Sequence, residues 1–162
     1  MIHELVRPQL EALELIRDKP LLVVDVDEVI VGLAGHLGEY AREKGYSLEL
    51  SGYKLDGALK RRGGETASDE EFRTLFKGFF TTETVRQRVY PGASEGLSAL
   101  SRHAQIVILT NVPPFARECR VRNLRGHGID YPLVVNTGPK GGALAWMRDQ
   151  VDRPMALSLI HI

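Results

Sequence analysis

The chain has a single cysteine, Cys119, in 162 residues. That excludes an intrachain disulfide and a cysteine-built metal cluster. It has no net charge: 21 Lys and Arg balance 21 Asp and Glu. Neither nucleic acid nor an anionic membrane is therefore expected as a bulk partner. No apolar run approaches the length of a membrane span, and the opening MIHELVRPQLEALELIRDK is too charged for a secretory signal. Internal repeats and low-complexity tracts are missing. The five histidines, His3, His36, His103, His127 and His161, show no metal-ligand spacing. The lone cysteine fits a reducing cytoplasm. What is present is a length suited to one domain with room for a small insertion, and 43% hydrophobic residues, enough for a core.

The stretch LLVVDVDEVI, Leu21 to Ile30, organises the rest. Leu21, Leu22, Val23, Val24 and Val26 surround Asp25 with apolar, mostly β-branched side chains, the pattern of a buried parallel strand. The run ends in two carboxylates, Asp25 and Asp27. If the strand persists through Asp27, alternation sends both to one side. Two such charges about 5 Å apart repel by roughly 3 kcal/mol at an effective dielectric near 20. A site tolerates that when a cation sits nearby or one carboxyl keeps its proton. The plainer alternative is a strand fraying into an acidic, solvated loop.

Before this strand, Pro8 opens a helix expected over 8–18. After it, Leu33, Leu37, Tyr40 and Ala41 set a helix over 33–44, stopped by Gly45. Residues 51–67 are polar and glycine-rich and predict no element. Ser68 and Glu71 form a capping box before a helix carrying Phe72, Leu75, Phe76 and Phe79. A short helix is expected near 82–88. From residue 90 strands and helices alternate: a helix over 93–102 with Leu97 and Leu100 inward, a strand from Gln105 to Leu109, and a helix from Pro113-Pro114 to Arg125. A strand at Leu133–Val135, a helix after Lys140 and a strand over 155–160 complete the series. This alternation predicts an α/β fold, a Rossmann-like parallel sheet, with sites at the carboxyl ends of its strands. Residues 1–30 and 90–162 are expected to make the core, and 31–89 a mostly helical cap inserted over the site.

Asp25, Asp27, Thr110, Asn111 and Lys140 then read as one constellation. A carboxylate attacks phosphorus when its charge is countered and the phosphoryl oxygens are held. Thr110 offers a hydroxyl, Asn111 a backbone N–H, and Lys140 a compact charge between glycines. A protonated Asp27 would protonate the leaving oxygen and later activate water. In VVDVDEVI, IVILTN and GPKGGAL, and in YPGASEGLSAL as a return segment after a cap, the sequence resembles the haloacid dehalogenase-like (HAD) hydrolase superfamily. The resemblance spans about residues 20–150. It implies a phosphatase acting on a small phosphorylated metabolite, with Asp25 as phosphoaspartyl nucleophile and Asp27 as acid/base. It also implies a magnesium ion held by the Asp25 side chain and the Asp27 backbone carbonyl. One motif departs: the acidic residue that the family places after a further strand would fall in MALSLIHI, which has no carboxylate. Asp149 and Asp152 precede that strand and read as solvated. The last six residues, LSLIHI, match the translation of a transposase adapter used in DNA library preparation, so a gene continuing past Ala156 is expected.

Rival readings rest on single features. Gly92-Ala93-Ser94-Glu95-Gly96 fits a serine-hydrolase elbow, but Pro91 stands where its strand should end, and Ser94 reads as a helix N-terminal residue. Lys60, Arg61 and Arg62 read as a solvated face. The phenylalanines, helically spaced, read as cap core, and Cys119 as a small core residue. A phosphorelay receiver needs an aspartate ending a middle strand, and strands two and three have none. The remaining alternative is a non-catalytic HAD-like domain that binds a phosphorylated ligand or a protein partner.

Overall fold

The computed structural model describes residues 2–49 and 57–158. In chain order the elements are α1 (Arg7–Glu11), β1 (Leu21–Val24), α2 (Ala34–Glu43), β2 (Tyr46–Leu48), β3 (Leu59–Arg61) and α3 (Asp69–Thr82). After a 3₁₀ turn at Thr84–Arg86 come α4 (Ala93–Ser101), β4 (Gln105–Thr110), a second 3₁₀ turn at Pro114–Ala116, α5 (Arg117–Gly126), β5 (Leu133–Val135), α6 (Gly141–Arg148) and β6 (Met155–Ser158). Four strands form one parallel sheet in the order β5-β4-β1-β6. The mixed α/β architecture with a Rossmann-like parallel sheet is thus present.

Strand alternation divides the core in two. Val23, Val107, Leu109 and Val134 pack with Leu10 of α1 and with Ala143 and Met147 of α6. Val24, Ile106 and Ile108 pack with Leu97 of α4 and Leu124 of α5. The sheet is therefore sandwiched between helices, and β1 and β4 are apolar on both faces. Each fully buried aliphatic side chain in these layers contributes about 1.5–3 kcal/mol.

The segment between β1 and β4 leaves and returns at one place. Val31 and Val89 form an antiparallel bridge, and Tyr90 N–H donates to the Ile30 carbonyl at 2.8 Å. Inside this segment α2 buries Leu37 and Ala41, and α3 buries Leu75, Phe79 and Phe80. These side chains cluster with Val112 and Ala116, beyond the end of β4, and with Val135, the last residue of β5. The Ser68–Glu71 capping box is formed. Gly78 fits against Tyr40 so closely that a Cβ there would lie 2.5 Å from its hydroxyl oxygen. Beside these helices the segment carries an element that was not expected: β2 and β3 pair as a short antiparallel ribbon. Residues 51–56, in the stretch left without an element, lie outside the described residues.

Three further expectations are corrected. The first helix stops at Glu11, not residue 18. The Gln105 side-chain amide donates to the Glu14 carbonyl and accepts from Ile16 N–H, both at 2.8 Å, giving that backbone non-helical partners. Leu100 is 48% exposed rather than inward. It lies on the last turn of α4, where the chain bends through His103 and Ala104 into β4. Cys119 is half-buried rather than core. Of the strand expected over 155–160, Leu159 and Ile160 lie outside the described residues.

Candidate functional site

β1 ends at Val24, so simple alternation does not place the two carboxylates. Beyond it the chain folds into a tight turn in which the Val26 carbonyl accepts from the N–H groups of Val29, Ile30 and Val31. Asp25 is fixed at the strand end: its N–H donates to the Ser158 carbonyl at 3.0 Å, and its Oδ1 accepts from Val26 N–H at 2.8 Å. The other carboxylate oxygen, Oδ2, is ion-paired with Lys140 Nζ. The two side chains are only 11% and 13% exposed.

Register pairs Val24 with Ile108, so Asp25 and Thr110 leave adjacent strands at the same end. The Thr110 side chain is buried, and its Oγ1 finds no hydrogen-bond partner among the described residues. Its carbonyl accepts from Asn136 N–H at 2.7 Å. Asn111 follows at the end of β4, and its side chain has partners of its own. Its side chain donates to the Gly138 carbonyl at 2.9 Å and accepts from Asn136 Nδ2 at 2.9 Å, while Asn136 Nδ2 also meets the Gly138 carbonyl at 2.7 Å. Gly138 sits at φ 76°, where a side chain would be strained. This latch fixes the loop that delivers Lys140, which caps the start of α6.

Asp27 is held by a residue the sequence did not single out. Arg120, on α5 with no exposed side-chain surface, donates through Nη2 to Asp27 Oδ1 at 2.7 Å. Arg120 Nη1 reaches Asn123 Oδ1 at 3.5 Å, and Asn123 Nδ2 donates to the carbonyls of Val85 (3.2 Å) and Gln87 (2.7 Å). Burial raises the Asp27 pKa above its usual 3.8, with the charges of Asp25 and Glu28 adding to it; Arg120 and Lys140 oppose without reversing the direction. The same burial lowers the Arg120 pKa, against the attraction of Asp27 and Asp25. Arg120 Nε and both side-chain polar atoms of buried Gln87 have no partner among the described residues.

Glu28 is a second residue outside the expected set. It adopts φ 60°, uncommon for a side-chain-bearing residue. Its Oε1 accepts from the N–H groups of Leu33 (2.7 Å) and Ala34 (2.6 Å) at the start of α2, and its Oε2 from Tyr90 Oη at 2.7 Å. A carboxylate there also suits the positive end of the helix dipole.

The rival residues take structural places. Ser94 lies in the first turn of α4, with no strand running into it. His36 pairs with Glu83 at 3.2 Å and meets the Phe79 ring edge-on. Arg61 binds Glu71, and Lys60 binds Thr66. Asp152 makes an exposed pair with Arg17.

Magnesium takes oxygen donors and keeps several of them as water or phosphate. The Asp25 carboxylate and the Asp27 main-chain carbonyl, to which no described backbone N–H donates, are donors of that kind. Among the described residues no group of three or more His, Cys, Asp or Glu is placed to hold a metal. The donor set fits a partly hydrated ion and not a closed cage.

No family model matches the sequence, and no curated protein is significantly similar to it. Among solved structures the chain is similar to a HAD family hydrolase from Deinococcus radiodurans R1, determined with bound phosphate and sodium, at 17% identity and a TM-score of 0.48. The alignment covers 74% of this chain, which spans 58% of the length of that structure.

Proposed function

We propose that the chain is a HAD-like phosphomonoester hydrolase acting on a small phosphorylated metabolite in the cytoplasm. The observation that carries this reading is the Asp25–Lys140 pair, a carboxylate from the end of β1 and a lysine from the start of α6, both about nine-tenths shielded from water. Lys140 neutralises Asp25, and the ammonium keeps donors in reserve for a phosphoryl oxygen. The unpartnered Thr110 hydroxyl supplies another donor at the same end of the sheet. Asp25 attacks phosphorus, the bond to the ester oxygen breaks, and Asp27 gives its proton to that leaving oxygen. Asp27 then takes a proton from water, which attacks the aspartyl phosphate, and inorganic phosphate leaves. Burial moves the Asp27 pKa upward, the direction that suits a general acid. In this reading Asp25 and the Asp27 carbonyl hold magnesium, which neutralises charge on the phosphoryl group.

The test is phosphate release from an aryl phosphate, with magnesium and with chelator. Magnesium-dependent release that disappears in Asp25→Asn is the expected result. No release from the parent chain overturns the hydrolase reading for this chain, and release that persists in Asp25→Asn overturns the nucleophile.

A further inference from the structure

The Asp27–Arg120 pair does more than balance charge, because Arg120 does not end the chain of contacts. Asn123, one helical turn further along α5, accepts from Arg120 and donates to two carbonyls, those of Val85 and Gln87. Both carbonyls belong to the segment by which the 31–89 insertion returns to the sheet, immediately before the Val31–Val89 bridge. Arg120 and Asn123 are buried, as is Gln87, so the middle of this chain of contacts is shielded from water. Their direction is fixed as well. α5 packs beside β4 through Leu124, so Arg120 and Asn123 project from a rigid element of the core. One end of the chain grips the side chain of Asp27 and the other grips the backbone of the returning segment.

We propose that Arg120 and Asn123 form a strut that sets the position of the Asp27 carboxyl from the return segment of the insertion, making Arg120 a positioning residue for the acid. The inference rests on the hydrolase reading for its consequence in turnover, but not for its structural content. Arg120 touches no substrate in this scheme; it acts by holding Asp27 where the leaving oxygen will be. A misplaced acid slows the chemical step and leaves substrate binding, which depends on Lys140 and Thr110, nearly as it was.

The experiment compares Arg120→Met, Arg120→Lys and Asn123→Ala with the parent, each alone and with Arg120→Met also in an Asp27→Asn background. With an aryl phosphate, Arg120→Met is expected to lower kcat by about 100-fold or more while KM moves by less than about threefold. Arg120→Lys should recover part of that loss, and Arg120→Met should cost nothing further once Asp27 is Asn. Loss confined to KM, or full additivity with Asp27→Asn, overturns the proposal. Amide hydrogen exchange supplies a readout free of turnover, including in a parent that releases no phosphate. Asn123→Ala, which removes no charge, is expected to speed exchange at Asp27–Val31 as well as at Gln87–Val89. Acceleration at Gln87–Val89 alone would show that no strut reaches Asp27 and would overturn the proposal.

Discussion

Lys140 and Arg120 both meet a carboxylate, and they differ in what they leave free. Lys140 spends one of three donors on Asp25 and remains 13% exposed; Arg120 has no exposed side chain at all. Lys140→Ala is therefore expected to weaken binding of inorganic phosphate by about tenfold or more, a charge-assisted contact being worth roughly 1.5–3 kcal/mol. Competitive inhibition by phosphate, or direct titration in a variant without turnover, measures this, and unchanged affinity counts against the assignment. Asp27→Asn is expected to lower kcat by about 10²–10⁴-fold with the circular dichroism spectrum retained. The difference between the two cations also explains what could be read at this scale. Lys140 stands among glycines before a helix, a setting with a local meaning. Arg120 stands on a helix with Arg117, Arg122 and Arg125, where an arginine reads as one more solvated charge. Only its partner, 93 residues away, distinguishes it. The Asn111 latch to Gly138 was illegible for the same reason: it is a contact between two loops.

Among the elements, α3 was legible because its signals are local: a capping box at Ser68 and Glu71 and phenylalanines at helical spacing. Phe79 has no exposed surface and contacts the rings of His36, Tyr40 and Phe80 edge-on. Phe79→Ala should cost about 3–5 kcal/mol, read as a lower denaturant midpoint. The β2–β3 ribbon was not legible, because its strands are three residues each and it is tied down from outside. Glu71 accepts from Arg61 Nη2 at 2.5 Å and from Tyr46 Oη at 3.1 Å as well as from Ser68 N–H. The Arg61 hydrogen bond, followed by those from Ser68, holds the Glu71 pKa at about 2 instead of the usual 4.5. A depressed carboxylate contributes stability above its unfolded pKa and loses it as pH falls toward the folded one. Between about pH 4.5 and 2 the ribbon's attachment to α3 should therefore weaken, modestly because the pair is exposed. Thermal unfolding of Glu71→Gln should show a flatter pH dependence than the parent across that window.

At the scale of the whole molecule, alternating strands and helices announced a parallel sheet, and two-faced apolar runs announced its interior strands. The sequence did not show how far the insertion shares the core. Its exit and entry are bridged at Val31 and Val89, so topology allows residues 32–88 to be replaced by a tight turn. Packing does not favour it. Val112, Ala116 and Val135 would lose Leu37, Leu75, Phe79 and Phe80 from their cluster, and Asn123 would lose the carbonyls of Val85 and Gln87. Such a deletion is expected to keep strand and helix signals in far-ultraviolet dichroism yet lose a cooperative thermal transition and bind a hydrophobic dye. A sharp transition would show the sheet to be self-sufficient.

Glu28 gives this junction a mechanical character. One carboxylate holds the first turn of α2 as the insertion departs and Tyr90 as the chain comes back. It works as a pin through both ends of the insertion. Any displacement of the insertion that keeps these bonds must carry departure and return together. Cutting the pin, with Glu28→Ala, would leave the two ends of the insertion tied separately, and the acid would sit next to a joint no longer fastened at one point.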